Sequence, residues 1–155
     1  MRAAGIGLAL LAAACEQHPD PCFTPQSKIE DLRVLGIAVD PPDPVVDLQS
    51  GTIEPVRLSA LIVEPAKGST GSYHVAWALC VPSTTTPGCA NATVVMSDPE
   101  WKRDSSVELH VPGDLITAAE AADPLHGLGG IRVLAELRVD GAKPATATTP
   151  IIFSR

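Results

Sequence analysis

Long apolar runs, basic clusters, aromatic residues and catalytic motifs are what this chain lacks. The apolar run that opens it, from Ala3 to Ala14, is about a dozen residues, well short of the ~20 that cross a bilayer as a helix. A permanent helical span there is excluded. Lys and Arg number 11 against 18 Asp and Glu, the formal net charge is −7, and the basic residues nowhere cluster. Nucleic acid is therefore not an expected partner. There is no Gly-x-Ser-x-Gly elbow, no His-Glu-x-x-His pair and no P-loop, so the commonest hydrolase, metalloprotease and nucleotide sites have no residues to form on. The four cysteines include no Cys-x-x-Cys spacing, which removes a thiolate pair at zinc-ligand distance. With two Trp, two Phe and one Tyr, the core has to be built mainly from Ala, Val, Leu and Ile. No internal repeat is visible.

What is there begins with an export signal. Arg2 and the amino terminus make a short positive region, Ala3 to Leu11 the apolar segment, and Ala12 to Ala14 the small residues that a signal peptidase cleft admits. Leu11-Ala12-Ala13-Ala14-Cys15 resembles a bacterial lipobox, in which the thiol receives a diacylglyceryl group before cleavage and becomes the new N-terminus. One position departs from that pattern: Ala12 stands three residues before the cysteine, where such boxes carry Leu. The other reading is an ordinary secretory signal cut after Ala14, with Cys15 free. The resemblance implies lipidation at Cys15, with palmitate-like chains as the membrane partner. Each buried CH₂ contributes about 0.8 kcal/mol, so two or three chains hold firmly where one holds marginally.

An exported chain meets an oxidising compartment, and its cysteines are expected to pair. Cys80 and Cys89 flank a turn-rich segment and are the expected disulfide. Closing so short a loop would contribute roughly 2–3 kcal/mol through the unfolded state. If Cys15 is lipidated, Cys22 is left odd; if it is not, a Cys15–Cys22 bridge is open.

Residues 1–14 thus read as signal peptide, 15–28 as a Pro-rich tether without periodic apolar residues, and 29–155 as one domain. Seven strands are expected in that domain. They are Arg33–Val39, Val56–Val63, Tyr73–Cys80, Ala92–Met96, Ser106–Val111, Ile131–Val139 and Ala145–Phe153. Alternation turns Tyr73, Val75, Trp77 and Leu79 inward, and likewise Ile131, Val133, Ala135, Leu137 and Val139. Pro150 places the last strand at an edge or a bulge. Ser97–Asp104 reads as polar connection, with Trp101 lying over a sheet edge. Asp114–Ala122 breaks the β pattern and favours one short helix between strands five and six, capped by Asp114 and stopped by Pro124. His126-Gly127-Leu128-Gly129-Gly130 reads as a flexible bend. Asp140-Gly141 is a hairpin signal.

Evenly spaced short strands point to an all-β sandwich. The strand count, Trp77 on the third strand and the helix before the sixth resemble an immunoglobulin-like or fibronectin-like domain over Arg33–Phe153. The chain departs from true immunoglobulin domains by lacking an inter-sheet cysteine pair and a tyrosine on the sixth strand. With its lipobox, tether and Arg-Val-Leu-Gly-Ile-Ala-Val-Asp-Pro-Pro opening, the whole chain resembles uncharacterised bacterial lipoproteins carrying such a domain. That resemblance implies a cell-envelope location and supplies no activity.

The remaining candidates are read as follows. His74 and His110 face outward on strands; were those strands neighbours, the pair with Glu108 would make a two-His metal site, and otherwise they are solvated surface. His18, Asp20 and Cys22 read as linker rather than ligands. Tyr73 and Trp101 read as packing rather than as binding aromatics. Asn91-Ala92-Thr93 fits a glycosylation pattern that a bacterial lipoprotein rarely uses. No cofactor or metal is expected, and the chain is not expected to be an enzyme. The expectation is a membrane-anchored envelope protein that binds a protein partner or serves a structural role. Its candidate surfaces are the loops after Val39, after Cys80 and around Asp123–Gly130. The alternatives are a soluble secreted binding protein of the same fold and a metal-binding periplasmic protein.

Overall fold

The computed structural model describes residues 29–65, 71–83, 85, 88–89 and 92–155; the signal, Cys15, Cys22 and the tether lie outside them. In chain order the strands are β1 (Arg33–Asp40), β2 (Val46–Asp47), β3 (Thr52–Ile53), β4 (Val56–Val63), β5 (Tyr73–Cys80), β6 (Thr93–Trp101), β7 (Ser106–Leu109), β8 (Ile131–Val139) and β9 (Ala145–Phe153), with one helix, α1 (Gly113–Ala122), between β7 and β8. The count is nine rather than the expected seven, because the 41–55 loop contains a small hairpin. Asp47 builds it. Its carboxylate accepts from Gln49 N at 2.8 Å and from the Ser50 hydroxyl at 2.7 Å, and Gly51 closes the turn at a φ of 73° that costs glycine nothing.

Two antiparallel sheets carry the fold: β1-β4-β7, and β6-β5-β8-β9. Their inner faces, with Ile116 and Ala119 of α1, share a single buried cluster from Leu32 to Phe153. The period-2 alternation is what makes this possible. Val56, Leu58, Ala60 and Ile62 of β4 are all buried, as are all five inward residues of β8, and a strand can place such a set on one face only. β9 pairs with β8 alone, so Pro150 sits on an edge strand, where its missing N–H costs no ladder bond.

Three local expectations change. β6 runs to Trp101 instead of ending at Met96. Register breaks between Tyr73 and Val75 and between Trp77 and Ala78 let it follow β5 throughout, and Pro99 falls in the first break, opposite no ladder partner. Trp101 is consequently a core residue and not an edge cover; its ring centroid lies 5.9 Å from that of Trp77, tilted by 58°. β7 stops at Leu109. The helix starts at Gly113 with Pro112 as N-cap and no side-chain cap. Asp114 lies inside the first turn instead, with Oδ1 accepting from Leu115 N at 2.9 Å, where its charge favours the positive end of the helix dipole.

Candidate functional site

Strand register gives the molecule two distinct ends. β1 enters opposite the end of β4 (Arg33 with Val63), beside the Tyr73–Trp101 and Val139–Ala145 pairs. Lys143 Nζ donates to Asp31 Oδ2 at 2.9 Å, which ties the entering segment to the β8–β9 turn. The opposite end holds the pairs Asp40–Arg57, Leu79–Thr93 and Ile131–Phe153. There Ser154 N donates to Pro44 O, and Val46 N to Ser154 O, both at 2.8 Å. The Arg155 guanidinium donates to His126 O at 2.9 Å and pairs with Glu120. Loops 41–55, 81–92 and 110–130 therefore meet at one end with the 154–155 tail. An eight-residue strand, about 26 Å of chain, separates them from the point where the chain enters.

Residues 88–89 of the loop that follows β5 are held to the outer face of the four-stranded sheet. Cys80 and Cys89 are joined, with S–S 2.08 Å and Cα–Cα 5.6 Å. Cys80 pairs in register with Leu134, and Ala78 with Glu136. Glu136 is 5% exposed. Its Oε2 accepts from Cys89 N at 2.8 Å, and its Oε1 takes the Arg138 Nε at 2.5 Å. A carboxylate so buried needs both partners, one to satisfy each oxygen. Gly88 completes the fit: its φ is 72°, and a Cβ there would stand 2.8 Å from Glu136 Oε2. Sequence reasoning missed Glu136, because an outward glutamate on an alternating strand is indistinguishable from a solvated one until the loop is seen to cover it.

Residues 123–130 form a chain of hydrogen-bonded turns rather than a flexible bend. The Asp123 carboxylate accepts from Leu125 N at 3.0 Å and from Gly127 N at 2.9 Å. These bonds, with smaller electrostatic help from Arg132 and His126, hold its pKa below the ordinary aspartate value. His126 N, Leu128 N and Gly130 N donate back to Asp123 O, Leu125 O and Gly127 O at 2.9–3.0 Å. Gly127, Gly129 and Gly130 supply the positive φ angles, and His126 adopts one of 48°. The ordered turn holds Leu125 63% exposed and Leu128 79% exposed. They border a hollow of ≈ 290 Å³, whose other walls include Val81, Pro82, Ala122 and Arg132. A second hollow, of ≈ 310 Å³, lies between Leu79, Val95 and the Leu115–Ala118 side of α1.

The two-His site does not form. His74 is on β5 and His110 follows β7, on different sheets and at opposite ends. His74 Nδ1 lies 3.1 Å from Asp140 Oδ2, and His110 Nε2 lies 3.6 Å from Glu108 Oε1. Among the described residues no group of three His, Cys, Asp or Glu side chains could hold a metal ion. Tyr73 and Trp101 are buried in the core. Asn91 of the glycosylation pattern lies outside the described residues. Among those residues no helix is long and apolar enough to cross a membrane. No protein-family profile, curated protein or solved structure matches the chain.

Proposed function

We propose that the chain is a bacterial envelope lipoprotein. Acyl chains on Cys15 hold it to a membrane, and an immunoglobulin- or fibronectin-like sandwich binds a protein partner without catalysis. The observation that carries this reading is the placement of the loops. The three segments singled out as binding surfaces converge on one end of the domain, and residues 29–32, which follow the tether, enter at the other. An anchor at Cys15 would then leave that loop-bearing end pointing away from the membrane. Strand order supports the sandwich assignment. β1-β4-β7 facing β6-β5-β8-β9 matches the A-B-E and C-F-G arrangement of such domains, with the fourth strand added beside C. The Cys80–Cys89 bridge and the Glu136 hydrogen bond pre-order one of the binding loops, which lowers the entropy lost on association.

The mass of the mature N-terminal peptide from a membrane fraction tests the anchor. A diacylglyceryl-bearing Cys15 supports the reading. An unmodified Cys15 N-terminus in the soluble fraction replaces it with the secreted binding protein, the alternative that Ala12 in the lipobox favours. An intact Met1 removes the export argument altogether.

A further inference from the structure

The two hollows at the loop-bearing end share one side of α1. Leu115, Ala118 and Ala122 are spaced i, i+3, i+7 and so lie on one flank of the helix. Leu115 and Ala118 line the hollow of ≈ 310 Å³ and Ala122 that of ≈ 290 Å³. They follow one another along that flank of the ten-residue helix, about 15 Å long, one walled opposite by Leu79 and Val95, the other by Val81 and Pro82 and bordered by Leu125 and Leu128; the two in line are called the groove below.

Two features set this groove apart from scattered surface apolar residues. Leu125 and Leu128 are presented by an ordered backbone, so their exposure is built in by the Asp123 hydrogen bonds and not a consequence of a loose loop. The surrounding charge is one-sided. Loops 41–55, 81–92 and 110–130 and the 154–155 tail carry Asp43, Asp47, Glu54, Asp114, Glu120 and Asp123 against Arg155 alone. At the other end Glu30, Asp31, Glu64, Asp104 and Asp140 are partly offset by Lys102, Arg103 and Lys143. At the Leu125–Leu128 end Arg132 stands beside Asp123, and Glu120 is paired with Arg155, so the charges there offset one another, while Asp114 lines the other hollow and adds to the acidic surround.

Resting on the binding role proposed above, we infer that the groove along α1 is a docking site for a partner protein segment with an apolar centre flanked by Lys or Arg. Apolar side chains of that segment fill the groove between α1 and Val81-Pro82, and its basic flanks meet the acidic loops. Complementary potential would steer the encounter and the leucines would supply the contact. A second copy of this chain is disfavoured as occupant, because its own loop-bearing end carries the same negative charge.

The test uses the full-length chain in its own envelope, with a photo-crosslinking phenylalanine analogue at Leu128. The same analogue at Leu48, in the 41–55 loop, and at Leu61, on the outer face of β4, provides comparison sites. The proposal expects Leu128 to crosslink one partner peptide that contains an apolar residue flanked by Lys or Arg. The yield should fall at least tenfold on Leu125→Ser. It should also fall on Asp43→Lys with Asp114→Lys, two exposed positions that leave the turn intact. A rise in salt from 0.1 M to 1 M, which shortens screening from about 10 Å to about 3 Å, should lower the yield as well. Each variant is accepted only if its melting temperature matches that of the parent. A crosslinked peptide without basic residues, a crosslink to lipid, or a crosslink to another copy of this chain overturns the inference. Crosslinking at Leu48 but not Leu128 overturns the groove and leaves the binding role standing. No crosslink at either position overturns the binding role as well.

Discussion

Replacing Glu136 with alanine is the most informative single perturbation of the loop-bearing end. Two interactions disappear. The first is the charge-assisted hydrogen bond to Cys89 N, 2.8 Å long and buried. Hydrogen bonds to charged groups contribute about 1.5–3 kcal/mol, because the abandoned N–H stays desolvated. The second is the pair with Arg138, whose side chain is 49% exposed. Solvent reduces that pair to about 0.2–1 kcal/mol. The expected loss is about 2–3 kcal/mol. For a domain of this size that corresponds to a fall in Tm of roughly 8–12 °C. Thermal unfolding of the oxidised protein, followed by far-UV circular dichroism, measures it. Glu136→Gln keeps an acceptor for Cys89 N but loses the charge and the acceptor for Arg138 Nε, and because Arg138 is half exposed and can turn to solvent the variant should recover about half of the fall. The loss should shrink in a Cys80→Ala/Cys89→Ala background, because the two devices hold the same loop and do not add. A Glu136→Ala protein that melts within a degree or two of the parent would refute the reasoning, as would a glutamine variant no more stable than the alanine one.

Removing both cysteines should cost ~2.7 kcal/mol, the chain-entropy value for a bridge closing a nine-residue separation, measured by urea unfolding with and without reductant. Gly130→Ala should destabilise by more than about 1–3 kcal/mol, since a φ of 101° suits glycine alone and the added methyl would press on Ile152 Cγ2 and stand 3.1 Å from Phe153 O; a denaturation midpoint unchanged from the parent would contradict the turn geometry. Asp47 and Asp123 both have folded pKa values below 3.8, chiefly from the Ser50 side-chain bond and the Leu125 backbone bond respectively. The unfolded chain therefore binds protons first as pH falls. The stability these groups contribute is fully present above about pH 4 and is lost as pH drops through their folded values. A Tm-versus-pH curve should decline below pH 4, and the decline should be shallower in Asp47→Asn with Asp123→Asn.

Much of the sheet architecture was legible because side-chain alternation is a local property. Tyr73-x-Val75-x-Trp77-x-Leu79 and Ile131-x-Val133-x-Ala135-x-Leu137-x-Val139 state their buried faces without reference to any partner, and Pro150 announces an edge by what it cannot donate. Where an element depends on a partner strand, the local reading failed. Ser97-Asp98-Pro99-Glu100 is polar and contains proline, yet it continues β6 because bulges against β5 absorb the proline. The β2–β3 hairpin was missed because two-residue strands have no period to detect; its signal was the side-chain chemistry of Asp47 and Ser50 ahead of Gly51. The 123–130 segment reads as loose from its glycines, and only the two backbone N–H groups gathered by Asp123 reveal that these glycines serve a fixed geometry.

By itself the sequence determined the strand faces, the helix after β7, the edge position of Pro150 and the proximity of Cys80 to Cys89. Each follows from the chemistry of residues close along the chain. Tertiary structure alone decided that Trp101 joins Trp77 in the core, that Glu136 is buried beneath the loop it anchors, and that His74 and His110 lie at opposite ends. It also decided that loops 41–55, 81–92 and 110–130 meet far from where the chain enters. These are consequences of strand register and sheet order. Both are set by contacts between residues tens of positions apart, and no pattern within a single strand records them.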